Sequence, residues 1–579
     1  MFSLIFSILF PLTTAGITHF ARRASSSANS TASVTSTSSA AISTCTGNSA
    51  SDRSTWCDFS IDTDYYSDGP TTGETVEYWF EITNTTASPD GVERIVLAVN
   101  GSIPGPTIEA NWGDTVVVHV TNSLENNGTG LHWHGIRQNW TNPNDGVPSL
   151  TQCPIAPGES MTYTWKAVQY GTTWYHSHFS LQAWEGVFGP IVIHGPSTAD
   201  WDVDLGPLTL VDWSHETVDA LYSYAQTVGP PTLDNGLING TNTYNDSGSV
   251  VGSRFETTFS SGTKYLIRVI NSAIDTYFKF SMDNHTMTVI ASDLVPITPY
   301  TTEVLDITMG QRYDIIVEAD QSTADYWMRA IPQSSCSENA NADDIKGIIR
   351  YDSSSTSDPT STGYSNNNEC VDEDSSNLVP YLSQTVGTIT DSDTGDDLSV
   401  ALSTSGNLFK WRIGSTTMEV EWENPTLLQI YNNDTDWTDA EAVIELDDAG
   451  EWVYFIIEST LTVPHPIHLH GHDFYVMASA GSATYNSSVT LNYDNPPRRD
   501  VATLLAAGYL VIAFKTDNPG AWLMHCHIGW HTSEGLDMQF VERYTEARAL
   551  IDFDVLNSTC SAWETYVDGS GVTEQDSGV

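Results

Sequence analysis

Apolar and polar positions alternate in short runs along almost the whole chain. The runs are rich in Val, Ile, Thr and Tyr and are separated by Gly, Pro, Asn and Asp, the period-two pattern of half-buried strands closed by turns. Long helical periodicity is absent from this pattern, so the expected class is all-β, built of sandwich domains. Three runs resemble one another: TVVVHVTNS from Thr115, KYLIRVINS from Lys264 and EWVYFIIES from Glu451, each a strand pattern ending in a polar turn. Three copies predict three homologous sandwiches, and a length of 579 residues, too great for one core, reads as about three or four domains. The Ser/Asn/Asp-rich stretch from Asp352 to Asn377 reads as the link between the second and third. The expected units are 58–200, 201–370 and 371–579.

Two further segments are expected ahead of them. The apolar run Phe2 to Leu12, closed by Thr13, Thr14 and Ala15, reads as a secretory signal, and Arg22-Arg23 as a propeptide site, so residues 1–23 are expected to be removed. Residues 24–57 form a Ser/Thr-rich N-terminal segment. The longest later apolar stretch, Ala502 to Phe514, has 13 residues, against the roughly 20 that a spanning helix needs. A soluble, secreted, extracellular protein is expected, with N-glycans on some of the sequons at Asn29, Asn84, Asn100, Asn127, Asn139, Asn239, Asn245, Asn284, Asn433, Asn486 and Asn557. With 73 acidic and 21 basic side chains the formal charge is −52. Such a chain repels phosphate backbones and anionic lipid, so neither nucleic acid nor membrane is an expected partner, and a monomer with a solubilising acidic coat is the simplest reading.

Histidine placement changes the picture most. Ten of the 16 histidines fall in four clusters: His132 and His134; His176 and His178; His465, His468 and His470; His525, His527 and His531. Positions i and i+2 of a strand face one side about 6.6 Å apart, so a His-x-His pair can serve neighbouring ions. A lone pair of this kind is more often packing or surface, but four pairs predict a multinuclear site, and imidazole alone does not identify the metal. His525-Cys526-His527 narrows the choice, because alternation sends the thiolate to the face opposite the two rings. With His465 and His531, Cys526 makes the two-His, one-Cys set of a blue copper centre. That accounts for the odd cysteine among seven. His19, His119, His194, His215 and His285 keep structural or surface readings, and His472 is a candidate for the outer shell.

Internal echoes support this. HWHG from His132 matches HLHG from His468, and WYHSH from Trp174 parallels WLMHCH from Trp522, with Ser177 where Cys526 stands. The motifs HWHGIRQNWTNPNDG, GTTWYHSHFS, HPIHLHGHDF and HCHIGWHTSEGL resemble those of the multicopper oxidases, and among them the laccases of ascomycete fungi. The resemblance implies three cupredoxin-like Greek-key domains and four copper ions. The type 1 ion would use His465, Cys526 and His531, with the non-ligating Leu536 in the axial place and Met538 as its rival. The type 2 ion would use His132 and His468; the type 3 pair His134, His176 and His527, and His178, His470 and His525.

By the same resemblance Asp145 relays protons, besides making an Asp-Gly turn, and the place of a second relay acid falls on Gly529. Asp234, ahead of the Leu-Ile-Asn-Gly run, would accept the substrate proton while electrons pass from Cys526 to His525 and His527. The implied disulfides are Cys45 with Cys57, Cys153 with Cys560, and Cys336 with Cys370, and Asp576 to Val579 resembles a C-terminal plug. The implied reaction is one-electron oxidation of phenols and aromatic amines coupled to reduction of O2 to water. A ferroxidase and a non-catalytic copper-binding cupredoxin protein are the alternatives.

Overall fold

A computed structural model of the chain describes residues 47–388 and 398–571. The expected leader, most of the Ser/Thr-rich segment, Cys45 and the Asp576 to Val579 terminus lie outside these residues. The three look-alike runs become strands Thr115–Asn122, Lys264–Asn271 and Trp452–Ser459. Each occupies the same place in its sheet. It runs parallel to a neighbour on one side (Thr75–Ala87, Val203–Trp213 and Leu398–Ser405) and antiparallel to one on the other (Ser160–Lys166, Arg312–Glu318 and Tyr509–Lys515).

A second sheet faces each of these, again with one topology. In the first unit Ile108–Asn111, Phe188–His194, Gly171–Ser177 and Leu131–His134 lie in that spatial order. The third unit repeats it with Val443–Leu446, Asp537–Glu542, Gly520–Cys526 and His465–Leu469. In the middle unit the corresponding strand, Phe278–Met282, buries Phe278, Phe280 and Met282 in the core, as the other two bury Leu131 and Trp133 or Ile467 and Leu469, but its opposite face carries Lys279 and Ser281 instead of histidine. Burying each such side chain contributes ~1.5–3 kcal/mol. The middle sandwich has thus kept the frame and its core without the histidines of the other two.

One apolar core runs without a break from the second sandwich into the third, taking in Val269, Phe280, Ile315, Ile467 and Leu536. The first has its own core around Phe80, Trp133, Trp165 and Tyr175. The link after Arg350 is irregular but pinned: Asp372 accepts from Gln311 Nε2 at 2.7 Å and from Thr503 N at 2.8 Å.

The expectation of no long helix is corrected by Phe553–Ser570, 18 residues capped by Asp552, whose carboxylate accepts from the N–H groups of Asp554 and Val555. Its buried stripe is only Leu556 and Trp563, with Cys560 partly buried, too narrow to register as an apolar face. Trp563 packs on Cys153 and Phe179, and the Cys153–Cys560 disulfide joins this helix to the first sandwich. The Cys336–Cys370 pairing is also present.

Candidate metal centre

Strand register brings the clusters together. His132 lies opposite His176, and His468 opposite His525. Three of the four His-x-His pairs depart from ideal strand geometry, because the strands end at Ser177, Leu469 and Cys526 and the second histidine lies just beyond. Ring centroids within the pairs are therefore 4.8 to 6.0 Å apart rather than evenly spaced. His470 turns inward because Gly471 follows at φ +69°, against the face of Trp522.

Eight imidazoles converge in this way. The donor atoms of His178, His470 and His525 lie within 4.8 Å of one another, as do those of His132, His134 and His176, and of His132, His468 and His470. Each ring aims at least one buried nitrogen that no protein group satisfies: Nε2 of His132, His176, His468, His470 and His525, Nδ1 of His134 and His178, and both nitrogens of His527. Buried polar atoms are normally satisfied, so convergent ring nitrogens without protein partners are the arrangement expected of a set that holds metal. Burial, reinforced by neighbouring rings, pushes the imidazolium pKa of His134, His178, His468 and His470 well below its usual range, and that of His525 to about 3. A lowered imidazolium pKa favours the neutral ring in these five, the form that ligates.

Two acids hold the opposite nitrogens in a near-symmetric arrangement. The backbone oxygen of Asp145 lies 3.0 Å from His132 Nδ1, and its Oδ2 2.8 Å from His470 Nδ1. The backbone oxygen of Asp500 lies 2.8 Å from His468 Nδ1, and its Oδ1 3.1 Å from His134 Nε2. The rings pair accordingly, His132 on His470 and His134 on His468, both at 3.9 Å. Each acid thus bridges a ring of the first sandwich and a ring of the third. Asp145 also makes the expected turn: a Cβ on Gly146, at φ +83°, would lie 1.7 Å from the Leu131 carbonyl oxygen.

On the other face of the His525–His527 segment stands a separate set. Cys526 Sγ lies 3.7 Å from His465 Nδ1 and 3.6 Å from His531 Nδ1, which are 3.2 Å from each other. Burial raises the Cys526 thiol well above its usual range, so a metal must displace its proton to bind as thiolate. The donor set suits copper. The backbone of Leu536 is fastened to this set, accepting from Cys526 N at 3.0 Å and donating to the His531 oxygen at 3.0 Å; Met538 pairs with Met524, one step along.

A cleft of ≈ 370 Å³ opens at His531, walled by Trp411, Trp530 and Val463 and bearing two acids, Asp275 and Glu534. Burial pushes Glu534 up to about 8, against a hydrogen bond from Trp411. Burial, helped by the nearby Asp212, pushes Asp275 well above the usual carboxylate range.

Asp234 does not line this cleft. Its Oδ2 accepts from the backbone N–H of His215 at 2.8 Å and lies 3.7 Å from that ring's Nδ1. Gly529 has no room for a side chain, since a Cβ would lie 2.5 Å from Trp184 and 2.7 Å from Ile274. His472 touches the set from outside, with Nδ1 3.1 Å from the His470 oxygen and Nε2 3.0 Å from Glu542. His119 stacks on Trp79 on a sheet face. Sequence reasoning missed Asp500, Arg312, Trp411, Asp275 and Glu534. The only local signal was Arg498-Arg499-Asp500, three charges abutting the apolar strand Val501–Leu504.

Three family models described as multicopper oxidase match residues 81–198, 204–354 and 415–546. The chain belongs to the multicopper oxidase family, a membership that implies bound copper. It is similar to Laccase-2 of Botryotinia fuckeliana, 50% identical over 547 residues, covering 92% of this chain and 93% of that protein. It is 41% identical to dihydrogeodin oxidase of Aspergillus terreus, covering 93% and 96%. Among solved structures, the laccase from Botrytis aclada superposes with a TM-score of 0.89 at 49% identity, covering 92% of this chain and 99% of that one. Fet3p, described as a multicopper oxidase that functions in iron import, superposes at 0.76 with 26% identity, covering 85% and 95%.

Proposed function

We propose that this chain is a secreted laccase that oxidises phenols and aromatic amines one electron at a time and reduces O2 to water. The observation that carries the reading is the His525-Cys526-His527 segment, whose sulfur belongs to a two-His set at a substrate-sized cleft while its imidazoles belong to the buried eight-ring set. Copper, when bound, supplies one-electron transfer at the first set and dioxygen reduction at the second.

Four ions would be held: one by His465, Cys526 and His531; one by His132 and His468; and a pair by His134, His176 and His527 and by His178, His470 and His525. The rest is the work of the chain. Consecutive covalent bonds from Cys526 to its two neighbours join the sets, so electrons need not cross a gap. Leu536, fastened beside the sulfur set, offers no ligand and keeps that site apolar. Asp145, hydrogen-bonded to the rings on both sides, is placed to hand protons to the reduction site, which consumes four per O2.

The cleft favours an aromatic donor over ferrous ion. Its walls are indole and aliphatic, and its two acids, Asp275 and Glu534, are buried rather than presented to solvent, a lining that suits an aromatic ring better than a hydrated cation. Asp234, whose Oδ2 accepts from the His215 N–H, stays the proposed acceptor of the substrate proton. Nine sequons are exposed and Asn239 is half-buried, so glycans have room at most of them. No helix of the described residues is long and apolar enough to cross a membrane.

The test is one copper-loaded preparation, assayed for copper per chain, the blue absorption band, and O2 uptake with a methoxyphenol and with ferrous ion. Four coppers, a blue band and phenol-dependent uptake are expected. Uptake with ferrous ion alone would move the chain to the ferroxidases, and copper without uptake would make it a binding protein.

A further inference from the structure

The eight rings come from the first and third sandwiches, yet one side chain of the middle sandwich reaches their support. We infer that Arg312 is a positioning residue for this centre: acting through Asp500, it fixes the rings of His134 and His468. The inference rests on the copper reading above.

Arg312 opens strand Arg312–Glu318 and is wholly buried. Its guanidinium makes a two-pronged contact with Asp500, Nη1 donating to Oδ1 at 2.6 Å and Nη2 to Oδ2 at 2.7 Å, geometry that only a planar fork can supply. Nη1 also donates to the Gly310 oxygen at 3.1 Å, and Nε to the Thr172 oxygen at 3.3 Å. One side chain therefore ties together all three sandwiches. Behind it, the backbone N–H of Arg312 donates to Asp293 at 3.0 Å, and Asp293 pairs with Arg499 at 3.2 Å. Charges alternate along the buried row Asp500, Arg312, Asp293 and Arg499, which is how a desolvated charge is retained at all.

Two glycines clear the space. A Cβ on Gly135, the residue after His134, would lie 2.4 Å from Arg312 Nη2 and 2.5 Å from Asp500 Oδ2. One on Gly310 would lie 3.1 Å from His134 Cε1 and 3.0 Å from His527 Cδ2. Both have positive φ, +73° and +82°. The backbone at two points is thus given over to letting the ion pair and the rings approach. Asp145, the partner of Asp500 in the near-symmetric pair, has no arginine: its Oδ1 accepts no hydrogen bond from protein among the described residues. The arginine is therefore specific to the His134 and His468 side of the centre.

The test compares the full-length copper-loaded enzyme with Arg312→Lys, which keeps the charge but not the fork, and Asp500→Asn, which keeps an acceptor but not the charge. The readouts are the blue band, its bleaching by phenol without oxygen, the electron paramagnetic resonance signal of the non-blue copper, and O2 turnover. We expect the blue band and its bleaching to persist, because the sulfur set does not touch the network. The non-blue signal should change its hyperfine splitting, and O2 turnover should fall roughly 10- to 100-fold, the range for losing a group that orients metal ligands. Unchanged non-blue signal and turnover in either folded variant would overturn the inference. So would loss of the blue band together with everything else in both, which would make the row a general element of the fold. If the unmodified enzyme lacks non-blue copper, the copper reading itself fails, a result distinct from these.

Discussion

Asp145 of the first sandwich places its Oδ2 2.8 Å from Nδ1 of His470 in the third. The contact spans 325 positions of sequence and fixes which nitrogen of the ring points inward. It also leaves Oδ1 buried, 3.2 Å from His132 Nδ1 and without a hydrogen bond from protein among the described residues, the atom that the proposed proton relay would use. An acid that both orients a ligand and moves protons is the economical arrangement for a reaction that consumes protons at a buried site.

Replacing Asp145 by Asn keeps an acceptor for one ring but removes the group that binds a proton. O2 turnover in Asp145→Asn is expected to fall by roughly 10²-fold or more. The blue band and its anaerobic bleaching by phenol should be preserved. Steady-state oxygen uptake and stopped-flow bleaching check this, and equal losses in both would place Asp145 in folding rather than in proton delivery.

Cys526→Ser removes the only sulfur donor of the mononuclear set, leaving two imidazoles and a weak oxygen ligand. The blue band and phenol oxidation should vanish while copper per chain falls by one and the non-blue resonance signal stays. Retention of phenol oxidation would sink the electron route through this segment.

Glu373, away from the metal sets, accepts from Tyr300 Oη at 2.9 Å and from the Asp306 N–H at 2.8 Å. Burial lifts it from an ordinary 4.5 to about 7, against these hydrogen bonds. The sign follows from the raised value. The unfolded chain loses this proton near 4.5, whereas the fold keeps it until about 7, so the contribution is complete below 4.5 and disappears as pH climbs through 7. The gap corresponds to about 3 kcal/mol. Denaturant midpoints of the parent and Glu373→Gln at pH 5 and pH 8, values chosen to lie on the two sides of about 7, should show a shallower decline in the variant; parallel declines would rule the group out.

The Cys153–Cys560 bridge closes a loop of 407 positions and holds the C-terminal helix on the first sandwich. Loss of both cysteines, in Cys153→Ser with Cys560→Ser, should cost ~2–5 kcal/mol. Thermal unfolding is the measurement. Because Trp563 keeps its packing on Phe179, the helix should remain helical by circular dichroism at temperatures below the transition.

How much was legible beforehand depended on distance along the chain. Strand period, the three repeated runs, the His-x-His pairs and the His-Cys-His segment are local patterns, and the backbone geometry of a strand converts each directly into a facing direction. The set of rings that the fold brings together followed from them. The long C-terminal helix did not, because its buried stripe of Leu556 and Trp563 is narrow and its stability comes from docking on another sandwich. Asp500 and Arg312 stand 188 positions apart and share no periodicity, and Asp275 and Glu534 meet at one cleft from different sandwiches. Sequence determined which chemistry this chain carries, since ligand type and spacing are written side by side. Only the tertiary structure decided which acids and arginines serve that chemistry, because a buried charge is placed by whatever partner the packed fold brings to it.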